Sequence, residues 1–308
     1  MSDYENSEEL LEAYQNGLEG AICDPEDVKK LLGELAMPLF GAAAYELELS
    51  GQGKLSLPFK SLLKFVPEFG ASESQTTGDC VSHSTRNAVD ITRAVEIDIK
   101  GEAESFKNRG ATEAIYQSRS NSGQGMTCSG AARYINAIGG LLIRKDYGAV
   151  DLSIYNSALG AKKRIPNSIY KTEAHKHPVN TISMVTTVPE ARDALANGYA
   201  LSCCSGYGFS SVRDENGIAR QKGSWSHAMA LIACDDTREL YDETLFLVQN
   251  SWGKWNSGPK RHGQPDGSFW IRESSARKIL QSRGSFVFSD VEGFPARQLP
   301  YYGLGEWV

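Results

Sequence analysis

Gln75-Thr76-Thr77-Gly78-Asp79-Cys80 is the stretch on which the reading of this chain turns. Turn-forming residues end at a cysteine, and from there Val81, Thr85, Ala88, Thr92, Val95 and Ile99 recur at helical spacing with charges between them. That is the pattern of a long amphipathic helix. Cys80 therefore falls at or near a helix N-terminus, where backbone N–H groups and the helix dipole favour a thiolate. The thiolate attacks carbonyl carbon well and the thiol does not, so a reactive cysteine needs a base and a group to orient that base. Both stand far downstream. Ser226-His227-Ala228 heads an apolar run, and Gln249-Asn250-Ser251-Trp252-Gly253 follows another. Cys80, His227 and Asn250 are thus candidates for nucleophile, base and orienting group, and Gln75 for the donor that binds an oxyanion.

Composition narrows the function classes. The chain has 308 residues, 41% hydrophobic and 23% charged, enough for one large domain or two small ones. Its net charge is −6 and no run of basic residues would track phosphates, so a nucleic-acid partner is not expected. The first residues are polar and acidic, without the apolar segment of a secretory signal, and no stretch approaches the ~18 apolar residues of a membrane helix. The expectation is a cytoplasmic protein with no membrane partner. Six cysteines (Cys23, Cys80, Cys128, Cys203, Cys204 and Cys234) form no CxxC pair. No metal or other cofactor is expected, and the thiols are expected to be free, with five of them small buried residues.

Along the chain, residues 1–55 read as a helical N-terminal extension. One helix starts near Ser7, with Leu10, Leu11 and Tyr14. A second starts at Asp24-Pro25-Glu26-Asp27, with Val28, Leu31, Leu32 and Leu35 on one face. Gly51-Gln52-Gly53 reads as a linker and residues 55–69 as extended. A helix is predicted over residues 129–138, after Gly123-Gln124-Gly125 and before Gly139-Gly140, and another over 189–197. Residues 151–180 read as an irregular crossing between lobes. Beyond Gly198, short apolar segments at 199–204, 227–234, 244–249, 268–271 and 285–288 read as strands. The fold class is α+β in two lobes within residues 56–292: a helical lobe at about 75–150 carries the cysteine, and an antiparallel β lobe at about 180–290 carries the histidine and asparagine. Residues 293–308 form a tail rich in Pro, Tyr and Trp, suited to strapping the surface or docking a partner.

Four segments, in order, resemble the papain-like (C1 family) cysteine peptidases over about residues 57–290. They are 75–80 with the following helix, Cys128-Ser129-Gly130-Ala131, Ser226-His227-Ala228, and Asn250-Ser251-Trp252-Gly253 with Gly267-Ser268-Phe269-Trp270-Ile271 after it. The resemblance implies a papain-like two-lobe fold and a thiol hydrolase that cleaves peptide or related amide bonds. It implies a Cys80–His227 ion pair, Asn250 holding the ring, Trp252 shielding that hydrogen bond, and Gln75 with the Cys80 amide holding the oxyanion. It places Ser129, Gly130, Ala131, Trp225, Ala228 and Trp252 along the substrate cleft, with Trp225 filling the pocket that selects a side chain. A peptide or protein is the implied partner.

The sequence also departs from that pattern. The loop from Gln75 to Cys80 is one residue short, Val81 replaces an aromatic, Thr77 replaces a cysteine, and a polar stretch at 254–266 replaces a short segment. His83 offers a rival partner for Cys80, while His175, His177 and His262 read as loop residues. The wording Thr-Gly-Asp-Cys-Val-Ser-His is similar to divergent phage and bacterial papain-like proteins. The alternative is therefore a papain-fold structural or binding component with little turnover, for example a virion protein assembled through the N-terminal helices or the tail.

Overall fold

The longest helix, Cys80–Lys100, lies at the centre of the molecule, with sixteen of its 21 residues buried. The computed structural model describes residues 18–70, 73–100, 106–282 and 284–299. The expected helix near Ser7 and the end of the tail lie outside them.

Spacing alone predicts that the charges of the central helix face water. Instead His83, Arg86, Asn87 and Asp90 are buried with the apolar positions. A charge is tolerated there only when it is paired and hydrogen-bonded. Arg86 binds Glu73, Arg109 reaches Asp90 at 3.1 Å, and Arg144 joins Glu73 at 2.7 Å to Glu113 at 2.8 Å. The helical lobe therefore closes over the helix with counter-charges, while Ala88, Ile91 and Val95 complete the apolar core.

The strands in chain order are β1 (Ala21–Ile22), β2 (Leu55–Ser56), β3 (Met126–Thr127), β4 (Thr181–Met184), β5 (Leu201–Ser205), β6 (Phe209–Arg213), β7 (Ala219–Gln221), β8 (His227–Asp235), β9 (Leu245–Gln249), β10 (Ser268–Arg272) and β11 (Ser285–Ser289). Seven of them form an antiparallel sheet in the order β10-β9-β8-β5-β11-β4, with β2 paired to β8. Strand β8 is buried at all nine positions. It packs against the central helix and against the helix Val188–Ala196. Such two-sided burial explains why His-Ala-Met-Ala-Leu-Ile-Ala-Cys reads as a continuous apolar run and does not alternate. The helices Val188–Ala196 and Cys128–Ile138 start at threonine caps, Thr187 and Thr127.

Three stretches differ from the expectation. Residues 55–69 hold only a two-residue strand and then the helix Phe59–Phe65. The crossing at 151–180 contains the helices Ser157–Ala161 and Asn167–Glu173, and Leu142, Leu152, Ile165, Ile169 and Tyr170 form a small core of their own there. In the tail, Phe294 wedges between Phe40 and Tyr199, with ring centroids 5.1 Å from each.

The expectation of six free thiols is corrected. Cys128 and Cys204 form a disulfide, and Cys23 is exposed. Cys128 begins a helix of the helical lobe and Cys204 lies on β5, so the bond staples the lobes together. Denatured but unreduced protein should show four titratable thiols, rising to six on reduction. The bond closes a separation of 76 residues. Chain-entropy reasoning then gives a loss of about 4 kcal/mol for Cys204→Ser, read from denaturant midpoints.

Candidate active site

Helix packing and sheet register assemble this site. Cys80 is the first residue of the central helix and is fully buried, close to the backbone of Ala228, Gly20 and Val81. Ala228 is the chain neighbour of His227 at the start of β8, which packs against the central helix. Because β8 and β9 pair Ala230 with Gln249, Asn250 just past β9 is carried back toward His227. His227 Nε2 lies 2.7 Å from Asn250 Oδ1. That oxygen also accepts the Ser251 N–H at 2.7 Å. An atom that accepts a backbone N–H is the amide oxygen, so Nε2 carries the proton and donates it. Nδ1 is then the bare nitrogen a base requires, and it has no hydrogen-bond partner among the described residues. Trp252 lies over the imidazole, with centroids 4.5 Å apart, and packs on Trp225 at 4.9 Å and Trp255 at 5.6 Å. These rings keep water from the His227–Asn250 bond.

Gln75 is held from behind. Its N–H donates to the Ser251 carbonyl at 2.9 Å, and the Ser251 hydroxyl donates to its Oε1. Its Nε2 is left to donate to the carbonyls of Leu18 at 2.7 Å and Thr77 at 2.8 Å. The shortened loop thus still presents an amide donor to a carbonyl in the cleft.

That carbonyl belongs to the chain itself. Residues 18–22 lie in the cleft as a strap. The N–H groups of Gly20 and Ala21 donate to the Ser226 carbonyl at 2.9 Å, Met126 N–H donates to the Gly20 carbonyl at 2.8 Å, and β1 pairs in parallel with β3. Glu19 accepts the Ser226 N–H at 3.0 Å. Only glycine fits in the middle: a Cβ on Gly20 would stand 2.1 Å from the Gly78 carbonyl oxygen. The strap continues into the helix Pro25–Glu34, capped by Asp24 and anchored where Asp27 accepts hydrogen bonds from Thr127, Ser129 and Arg133 at 2.5 to 2.8 Å.

Enclosure decides the protonation of the pair. Burial pushes the Cys80 thiol up to about 12, and the neighbouring Asp79 charge adds to this, with the backbone at Ala228, Gly20 and Val81 opposing. Burial brings His227 down to about 4, with the Asn250 hydrogen bond opposing and His83 assisting. Both shifts favour the neutral forms, so the closed cleft holds a thiol and an imidazole and no ion pair.

Hydrogen bonds and ring contacts join His227, Asn250, Trp252 and, through Ser251, Gln75, while Cys80 lies close to the Ala228 backbone. The structure corrects two other assignments. Residues 129–131 do not all border the cleft: as expected they are helical, in the helix Cys128–Ile138, where the Gly130 N–H bonds the Thr127 cap at 2.8 Å and Ala131 is buried in the core. Of these three, only Ser129 borders the cleft, at a cavity of about 130 Å³ that Cys128, Cys204, Ile22 and Ser226 also line. The edge that binds a peptide backbone is Met126, and Gly125, whose Cβ would stand 2.6 Å from the Gly20 carbonyl, lets it approach. The signal was Gly123-Gln124-Gly125 just upstream; a cysteine at 128 drew the reading three residues too far. Trp225 fills no selecting pocket. It is buried behind His227 among Trp252, Trp255 and Phe209. His83 is no rival base, since its nitrogens face Asp79 at 3.5 Å and Arg86 at 3.3 Å. Sequence reasoning missed the strap, Trp255 and Tyr155. No group of three or more His, Cys, Asp or Glu among the described residues is arranged to hold a metal ion.

No family model matches the chain, and no curated protein matches it by sequence. Solved structures do. Xylellain, a cysteine protease from Xylella fastidiosa, superposes with a TM-score of 0.53 at 16% identity, covering 89% of this chain and 96% of that one. Digestive procathepsin L 3 from the Tenebrio molitor larval midgut gives 0.46 at 12% identity over 94% of this chain and 100% of its own. The recombinant stem bromelain precursor gives 0.44 at 12% over 90% and 78%. At such identities the likeness speaks for architecture. The chain has the α+β two-lobe fold of the papain-like cysteine proteases.

Proposed function

We propose that this chain is a cysteine-type peptidase stored with its cleft closed. One observation carries the reading: the Gln75 amide already holds a peptide carbonyl, that of Leu18, in the strap that crosses the cleft through Gly20. In turnover a substrate carbonyl takes the place of Leu18. His227 Nδ1 accepts the thiol proton, Cys80 Sγ attacks, and the oxyanion is held by Gln75 Nε2 and the Cys80 N–H. The imidazolium then protonates the leaving amine. It next takes a proton from the water that releases the acyl group. Asn250 holds the ring throughout. The substrate is a peptide or protein. The Cys128–Cys204 bond suits oxidising surroundings better than the cytoplasm expected from the sequence.

The rival reading, a papain-fold scaffold with little turnover, draws on the same closed cleft and dehydrated thiol. Gly20→Ala separates the two readings. Its methyl cannot fit against Gly78, so the strap leaves the cleft while the Pro25–Glu34 anchor stays. Peptidyl epoxide or vinyl-sulfone labelling of Cys80, read by intact mass, should be slow in the parent and at least 10-fold faster in Gly20→Ala, a gain of about 1.4 kcal/mol in open-state population. Cys80→Ala and His227→Ala should abolish it. Absence of His227-dependent labelling in Gly20→Ala would leave the scaffold reading standing.

The closed state also has a defined pH window. His227 titrates near 6.5 when water reaches it and at about 4 when closed. Between those values the opened or unfolded chain binds an extra proton, so the closed state loses about 1.4 kcal/mol per pH unit as pH falls. The thiol, raised from 9.0 to about 12, keeps its proton where the opened chain loses it, so stability also falls above pH 9.0. Thermal midpoints should therefore fall on both sides of that window. The acid slope should be shallower in His227→Gln, with His177, which burial first and Arg93 next hold at about 4, supplying the remainder.

A further inference from the structure

The loop at 75–80 carries the Gln75 amide at one end and Cys80 at the other, and it is one residue shorter than the papain-like pattern. Two side chains hold it from the cleft side: Ser251 at Gln75, and Gln124, whose Oε1 accepts the Gly78 N–H at 2.9 Å. From the opposite side one hydroxyl spans the loop. Tyr155 Oη accepts the Thr76 N–H at 3.1 Å and donates to Asp79 Oδ2 at 2.8 Å. It thereby ties the residue after Gln75 to the residue before Cys80. Tyr155 is itself fixed. The His83 ring stands edge-on to it at 5.2 Å, the Arg144 guanidinium lies 5.6 Å over its face, and the N–H of Asn156 donates to Glu113 at 2.6 Å. Asp79 is fully buried, and its second oxygen has no hydrogen-bond partner among the described residues. A half-satisfied carboxylate at such depth is costly, and an apolar residue at that position would pack without the cost. What an apolar residue would lack is the bond to Tyr155.

We propose that Tyr155 and Asp79 are positioning residues for the Cys80 reaction, Tyr155 bracing the shortened loop so that the Gln75 amide meets the oxyanion. Asp79 brings a second consequence, because its charge opposes the neighbouring thiolate. The other charged or titratable groups facing this spot are His83 at 3.5 Å from Asp79, Arg86 at 3.3 Å from His83, Glu73 and Arg144 beyond them, and His227, whose protonation His83 also opposes.

The inference rests on the peptidase reading, and the test separates the two. Full-length Gly20→Ala protein is compared with the same chain carrying Tyr155→Phe or Asp79→Asn. The readouts are kcat and KM on a peptide amide and the pH profile of Cys80 alkylation by iodoacetamide, which builds no oxyanion. Tyr155→Phe should lower kcat on the order of 10- to 100-fold, the cost of a slightly misplaced donor, with KM and alkylation unchanged. Asp79→Asn should move the alkylation profile to lower pH. A Tyr155→Phe chain that hydrolyses like its parent overturns the inference alone. So does one that loses alkylation and thermal midpoint in step with kcat, because that is a merely structural role, and so does an unmoved Asp79→Asn profile. A parent that alkylates at Cys80 but cleaves no peptide overturns the peptidase reading and this inference with it.

Discussion

Burial of the central helix on every side is the constraint from which the rest of the architecture follows. A helix of 21 residues that keeps water from Arg86 and Asp90 as well as from Ala88 and Ile91 must be met by counter-charges on one flank and an apolar sheet on the other. Glu73, Arg109 and Arg144 supply the first, and β5, β8 and β11 the second. A helix locked in this way cannot slide. Its first residue, Cys80, is therefore held on the floor between the lobes. The same packing sets β8, with His227 and Ala228 at its start, against the helix.

The same enclosure that orders the site suppresses it. An ion pair of thiolate and imidazolium needs either water or strong hydrogen bonds to both partners. The strap at 18–22 helps to enclose the sulfur, and the nearby backbone at Gly20 does not outweigh the desolvation. The ring likewise keeps its Asn250 bond yet stays neutral. In the proposed peptidase, chemistry and storage draw on the same residues: the Gln75 amide, the Ser226 carbonyl and the Met126 N–H bind a peptide backbone, which here is the chain's own. The disulfide and the Asp27 anchor hold the flanks of the cleft while the strap covers it.

Much of this was legible because periodicity and caps are local. The central helix, the strands β5, β8, β9, β10 and β11, and the helix after Thr187 all announce themselves through spacing, turn residues and length. Cys80, His227, Asn250 and Gln75 were legible because nucleophile, base, orienter and donor are few in kind. The helix Phe59–Phe65 was not, because a seven-residue helix with Lys60 and Lys64 among its apolar residues has no clear period. Nor was the cleft edge at Met126, which carries no side-chain chemistry and acts through its backbone N–H.

The amino-acid sequence by itself determined the α+β character, the order of the elements and the choice of Cys80, His227, Asn250 and Gln75 as candidates, because these depend on residue type and on spacing within a few turns of chain. Only the tertiary structure decided that the helix charges are buried, that Cys128 meets Cys204 across the lobes, that Trp225 lies behind His227, and that residues 18–22 fill the cleft. Each of those depends on pairing between residues tens to hundreds of positions apart, and on the removal of water from groups whose local sequence reads as solvated.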